Sequence, residues 1–163
     1  MYSSRLTISI LLTLCSISLH AQELKPDEFV SMRRYKPEKI DSLMTEKGFK
    51  KQVFNDDADM KITGYTVTKI TDSGAAQRSL HVGWRPKFKV LTLEYGLWLR
   101  SEADGFVKQL SRSGYKRMST SIPDLDGNSS TQTISYKKGA VTIGYKEVKQ
   151  DAGILYAFSM EEE

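Results

Sequence analysis

The sequence predicts an α+β fold: one antiparallel sheet of about six strands, with two helices packed on one face, behind an export leader. Three observations carry this. The chain opens on a charged, then apolar, then small-residue stretch. Two amphipathic helical segments, each closed by glycine and an aromatic, recur 66 residues apart. Runs of alternating apolar residues follow each of them in the same order.

The opening stretch is Met1 to Ala21. Arg5 precedes an uncharged apolar run from Leu6 to Leu19, and Ala21 precedes the polar Gln22. That order marks a secretory signal peptide cut between Ala21 and Gln22. The run is shorter than the roughly 20 apolar residues a membrane span needs. The expected product is a bacterial periplasmic or secreted protein with no integral membrane segment after cleavage. Cys15 raises the alternative of a lipid anchor. Leu14 before it and the apolar Ile17 and Leu19 after it argue against that.

Residues 22–163 would form a single α+β domain. They contain no cysteine, so an exported chain of this kind is held by its core rather than by disulfides. They carry a net charge of +3 once Arg5 is removed. So mild a charge gives no support to a nucleic-acid partner.

Two repeats organise the domain, at about 36–97 and 98–163. The first helix starts near Pro37, which suits a first turn, and buries Ile40, Leu43 and Met44. The second carries Phe106, Val107 and Leu110, with Ser101 and Asp104 as an N-cap pair. Gly48-Phe49 and Gly114-Tyr115 close them; glycine takes the left-handed conformation of a C-terminal cap. Next come Met60 to Ile70 in the first repeat and Thr131 to Lys138 in the second.

Then Leu80 to Arg85 matches Val141 to Lys146 at a shift of 61, each with a glycine before an aromatic. Last, Leu91, Leu93 and Tyr95 alternate as Tyr156, Phe158 and Met160 do. Turn-rich stretches at Asn55-Asp56-Asp57, Thr71 to Gly74 and Pro123 to Asn128 separate the elements. The order is αβββ, twice. Leu24 to Tyr35, with Pro26 before Asp27-Glu28-Phe29, adds a short leading helix with few apolar residues.

No catalytic set emerges. His81 is the last histidine once the leader is gone, and no G-x-S-x-G nucleophile turn occurs. The alternation places His81 on the polar side of its strand. One histidine and no cysteine make a zinc or iron site improbable. Asp124 to Asn128 resembles a calcium loop, but glycine falls at position four and Ser135 at twelve, so the pattern fails. Glu94 and Glu161 to Glu163 supply carboxylates, with nothing to pair them across a cleft. No phosphate-binding loop is present. No cofactor and no metal are expected.

Tyr65, Trp84 and Tyr145 each follow a glycine in a strand, with Arg85 and Lys146 beside the last two. On an open sheet face these residues would make a binding platform. On the helix side the rings would be core, which is the commoner use of such residues. Trp98, at the junction of the repeats, reads as a packing plug. The basic pairs Lys50-Lys51 and Lys116-Arg117 suit helix ends and surface solubility.

The expected function is a non-catalytic binding or protein-interaction module of the cell envelope. Its partner would be another envelope or secreted protein, or a glycan. The alternative is a glycan or small-ligand binder, or a hydrolase, working through carboxylates and tyrosines. In outline the tandem helix-plus-sheet arrangement resembles that of secreted enzyme inhibitors such as the β-lactamase inhibitory proteins. The likeness is of architecture and rests on no sequence motif.

Overall fold

Both glycine closures form, and the rest of each repeat hangs from them. In the computed structural model, which describes residues 23–71, 74–119 and 133–161, Gly48 and Gly114 have φ of 80° and 88°. Phe49 N–H donates to the Met44 carbonyl at 2.9 Å, and Gly48 N–H to that of Thr45 at 2.9 Å. Tyr115 and Gly114 repeat this on Leu110 and Ser111, each at 3.1 Å. This paired six-to-one and five-to-two pattern is the Schellman cap. The aromatic after each glycine turns inward: Phe49 and Tyr115 are both buried.

The elements are α1 (Pro26–Met32), α2 (Pro37–Glu46), β1 (Lys50–Asp56), β2 (Lys61–Thr71), β3 (Gly74–Arg85) and β4 (Val90–Leu97). Then follow α3 (Arg100–Arg112), β5 (Lys116–Ser119), β6 (Ile134–Lys138), β7 (Val141–Gln150) and β8 (Gly153–Glu161). All eight strands form one sheet in the order β1-β2-β3-β4-β8-β7-β6-β5. Every pairing is antiparallel. Each half is a helix followed by a four-stranded meander, and the last strands meet at a central seam where Tyr95 faces Phe158.

The α+β class and the single antiparallel sheet agree with the sequence. The size of the sheet does not: among the described residues eight strands replace about six, while α1 is the short leading helix expected between Leu24 and Tyr35. The additional strands are β1 and β5, which follow the glycine caps and form the two edges of the sheet. An edge strand buries little, and β1 is almost wholly exposed. Its residues, KKQVFND, have no reason to alternate. Asn55 and Asp56 are the end of that strand rather than a turn. Ser101 is not a cap either, since α3 begins at Arg100 after Leu99, with no side-chain cap bond. The turn-rich stretch Pro123 to Asn128 lies outside the described residues.

Cross-strand partners also move the register of the repeat. From the glycine caps, Lys51 pairs along the row with Tyr65, Leu80 and Tyr95. Arg117 pairs likewise with Tyr136, Ile143 and Met160. Leu80 therefore corresponds to Ile143, so the match of Gly83-Trp84 with Gly144-Tyr145 is two residues out of place. Trp84 corresponds to Glu147.

The helices cover one face only. On it Phe29 of α1 and Phe106 of α3 meet Tyr95 at ring-centroid distances of 6.1 and 5.6 Å. Phe106 continues to Phe158 at 4.5 Å, and Phe158 to Tyr145 at 5.0 Å. This aromatic chain crosses the seam between the halves. The short α1 matters more than its few apolar residues suggest, because Phe29 and Met32 are fully buried, as is Leu24 just before it. Arg78 of β3 pairs with Glu102 of α3 through both guanidinium nitrogens that face it, a charged tie between halves. Among the described residues, no helix is long and apolar enough to cross a membrane.

Candidate functional site

Strand alternation assigns each predicted binding residue to a face. Tyr65 pairs with Leu80, and Leu80 with Tyr95, so Tyr65 lies on the helix side. Trp84 and Tyr145 lie there too. Tyr65 and Tyr145 are buried, whereas Trp84 is half-buried. The Tyr145 hydroxyl donates to Glu147 at 2.9 Å. Arg85 and Lys146, next in sequence to the rings, alternate onto the opposite, helix-free face. The five residues therefore do not form one platform.

The glycine-aromatic dipeptide works on both faces at once. The ring enters the core, and the glycine leaves the open face low. A Cβ at Gly64 would run into the Phe54 ring, and one at Gly83 into Thr92 Oγ1. The neighbours lie over the glycines, which only a missing side chain allows. One row runs across all eight strands: Met118, Ser135, Gly144, Ser159, Glu94, His81, Gly64 and Gln52. Most of it is small or polar.

Charge gathers at the middle of this row. Lys146 Nζ reaches across β8, over Ala157 and Ser159, to within 3.4 Å of Glu94 Oε2. His81 Nδ1 lies 4.0 Å from Glu94 Oε1. The His81 contact, followed by Lys146, holds the Glu94 carboxyl below its ordinary range, against the opposing effect of burial. Phe54 packs edge-on against His81 at 5.9 Å and remains 53% exposed.

A second concavity lies on the helix side, where α2 leaves the outer ends of β1 to β3 uncovered. This cleft of roughly 230 Å³ is lined by the start of α2, including Glu38 and Asp41, and by Val53, Asp56, Lys61, Tyr65 and Trp84 among others. Lys51 Nζ donates to Asp41 at 2.8 Å, and Lys61 Nζ sits 2.7 Å from Asp56. The Lys61 contact lowers the Asp56 pKa. Burial, with Asp41 beside it, raises that of the Tyr65 phenol.

Among the described residues no group of three or more histidines and carboxylates is placed to hold a metal. Sequence reasoning met Glu94, His81 and Lys146 separately and did not join them. It missed Phe54 and the Asp41–Lys51 and Asp56–Lys61 pairs. The available signal was parity: Glu94 and Lys146 each stand one residue from an inward-facing ring partner, which sends both to the open face. Comparison with family models, with curated proteins and with solved structures finds no match for this chain.

Proposed function

We propose that this is an exported, non-catalytic protein-interaction module that docks a folded protein on its helix-free sheet face. The observation that carries this reading is the extent and make-up of that face. Seven inter-strand gaps at about 4.8 Å make it about 34 Å wide. With about six residues along each strand its area is of the order of 700 Å², close to one side of a standard protein–protein interface. Its central row is small or polar, with the glycines overlaid by neighbouring side chains such as Phe54, so the face is low and nearly level. The Glu94, His81 and Lys146 cluster supplies directional polar contacts at the centre, and the exposed Phe54 ring supplies an apolar anchor at one side.

The paired charges favour specificity over raw affinity. Only partly buried, they leave a partner donors and acceptors to use. The experiment is capture from the envelope fraction of the native host, with the native chain and Ser159→Arg compared in parallel. Ser159 stands in the central row between Gly144 and Glu94, so an arginine there obstructs the face without entering the core. Stoichiometric capture of one protein by the native chain and its loss in the variant are expected. Equal capture by both, with unchanged melting temperature, would move the docking surface elsewhere.

A further inference from the structure

We infer that the cleft between α2 and the outer ends of β1 to β3 is a second binding site, and that it takes one neutral pyranose ring of a glycan. The site lies on the opposite side of the sheet from the docking face and does not depend on it. Its charge set selects the ligand by elimination. Glu38, Asp41 and Asp56 face Lys51 and Lys61 within one small concavity. A free anion would meet three carboxylates, and a free cation would meet two ammonium groups.

The groups are also paired, Lys51 with Asp41 at 2.8 Å and Lys61 with Asp56 at 2.7 Å. Each pair therefore offers fixed donors beside fixed acceptors. A sugar hydroxyl both donates and accepts, and neighbouring hydroxyls on a ring meet such alternating pairs in turn. Asn55 and Thr63 add a neutral amide and a hydroxyl to the same lining.

The apolar side of the cleft completes the match. Trp84 is half-buried, and Tyr65, Val53 and Val82 continue its wall. A pyranose has one face of C–H groups that suits an aromatic wall, and a rim of hydroxyls that suits the ion pairs. The volume limits the ligand further. At roughly 230 Å³ the cleft is smaller than the 300 Å³ or so at which pockets for drug-sized molecules begin. One ring fits; a bound oligosaccharide would place its other rings outside.

The test uses the full chain exported from a host, with methyl glycosides of glucose, galactose, mannose and N-acetylglucosamine. Binding is followed by saturation-transfer NMR and calorimetry, with n-butylammonium and glucose 6-phosphate alongside. At least one neutral glycoside should bind with Kd on the order of 1–10 mM, about tenfold tighter than either charged probe. Asp56→Asn, at an exposed strand end, should weaken it about fivefold or more without changing the melting temperature. Trp84→Leu should abolish the saturation transfer to the C–H face of the ring.

Ser159→Arg should leave sugar binding intact, which separates this site from the docking face. Absence of binding by all four glycosides at about 20 mM, tighter binding of n-butylammonium, or binding undiminished by Asp56→Asn would overturn the inference.

Discussion

The two halves of the molecule share a scaffold and differ at their outer ends. In each, a helix closes on glycine and an aromatic, and a four-stranded meander runs inward to the seam. Positions that face the core are alike: Tyr65 corresponds to Tyr136 and Leu80 to Ile143, all buried. Positions that line the cleft are not. At the helix shift of 66, Asp41 corresponds to Val107, and along the ladder Trp84 corresponds to Glu147. The strands differ as well. β3 has 12 described residues, and its counterpart β7 has 10. The core tolerates little change because it is close-packed, while the rim is free to vary and carries what is particular to each half.

The comparison breaks first at the seam. Phe106 touches Phe29 and Tyr95 of the first half and Phe158 of the second. Phe106→Ala should cost about 3–5 kcal/mol in urea unfolding, the range for a buried aromatic. A single cooperative transition is expected to persist. Two separate transitions would mean that the halves fold independently.

The caps provide the next test. Gly48→Val and Gly114→Val put a β-branched side chain at positive φ, and each should cost roughly 1–2 kcal/mol or more. Similar losses in the two would confirm that the caps are equivalent. If either variant melts unchanged, the helix end is not where the repeat is anchored.

A smaller effect follows from Glu94. Its carboxyl is lowered below the ordinary 4.5 by His81, and then by Lys146. A group depressed in the folded state contributes stability above its unfolded pKa, and that contribution fades as pH falls through the folded value. The carboxyl is about a third exposed, so the loss should be under about 1 kcal/mol below pH 4.5. Glu94→Gln should flatten the melting temperature in that acidic window. An identical acid profile in the variant would remove Glu94 as the hub of the open face.

The smallest effect lies in β7. The Thr142 hydroxyl is buried without a hydrogen-bond partner among the described residues. Thr142→Val keeps the shape and should be neutral or stabilising by up to about 1 kcal/mol. A loss of stability would reveal a partner for that hydroxyl.

Much of this is legible along the chain. Local chemistry writes it there: glycine for positive φ at residues 48 and 114, period-two alternation from Leu91 to Tyr95, and Pro37 at a helix start. The edges are not legible in this way. β1 is exposed on both faces, so nothing in Lys50 to Asp56 need repeat, and the described part of β5, Lys116 to Ser119, is too short to show a period. Register fails for a related reason. Gly83-Trp84 and Gly144-Tyr145 look equivalent because both place a ring inward and a glycine outward. Any even slip preserves that pattern, and only the hydrogen-bonded ladder shows that the slip is two.

The candidate sites belong to the same division. Residue identity alone put His81, Glu94 and Lys146 on the polar phase of their strands, whereas strand pairing decided that Tyr65 and Trp84 share the helix side. Tertiary structure decided that α2 stops short of the outer strand ends, leaving Trp84 beside a cleft rather than under a helix. It also decided that β8 sets small residues between Lys146 and Glu94, so that the lysine spans an intervening strand. Local propensity acts over a turn or a pair of residues. Strand order and helix placement depend on contacts between residues tens of positions apart, and those contacts are settled only when the whole core packs.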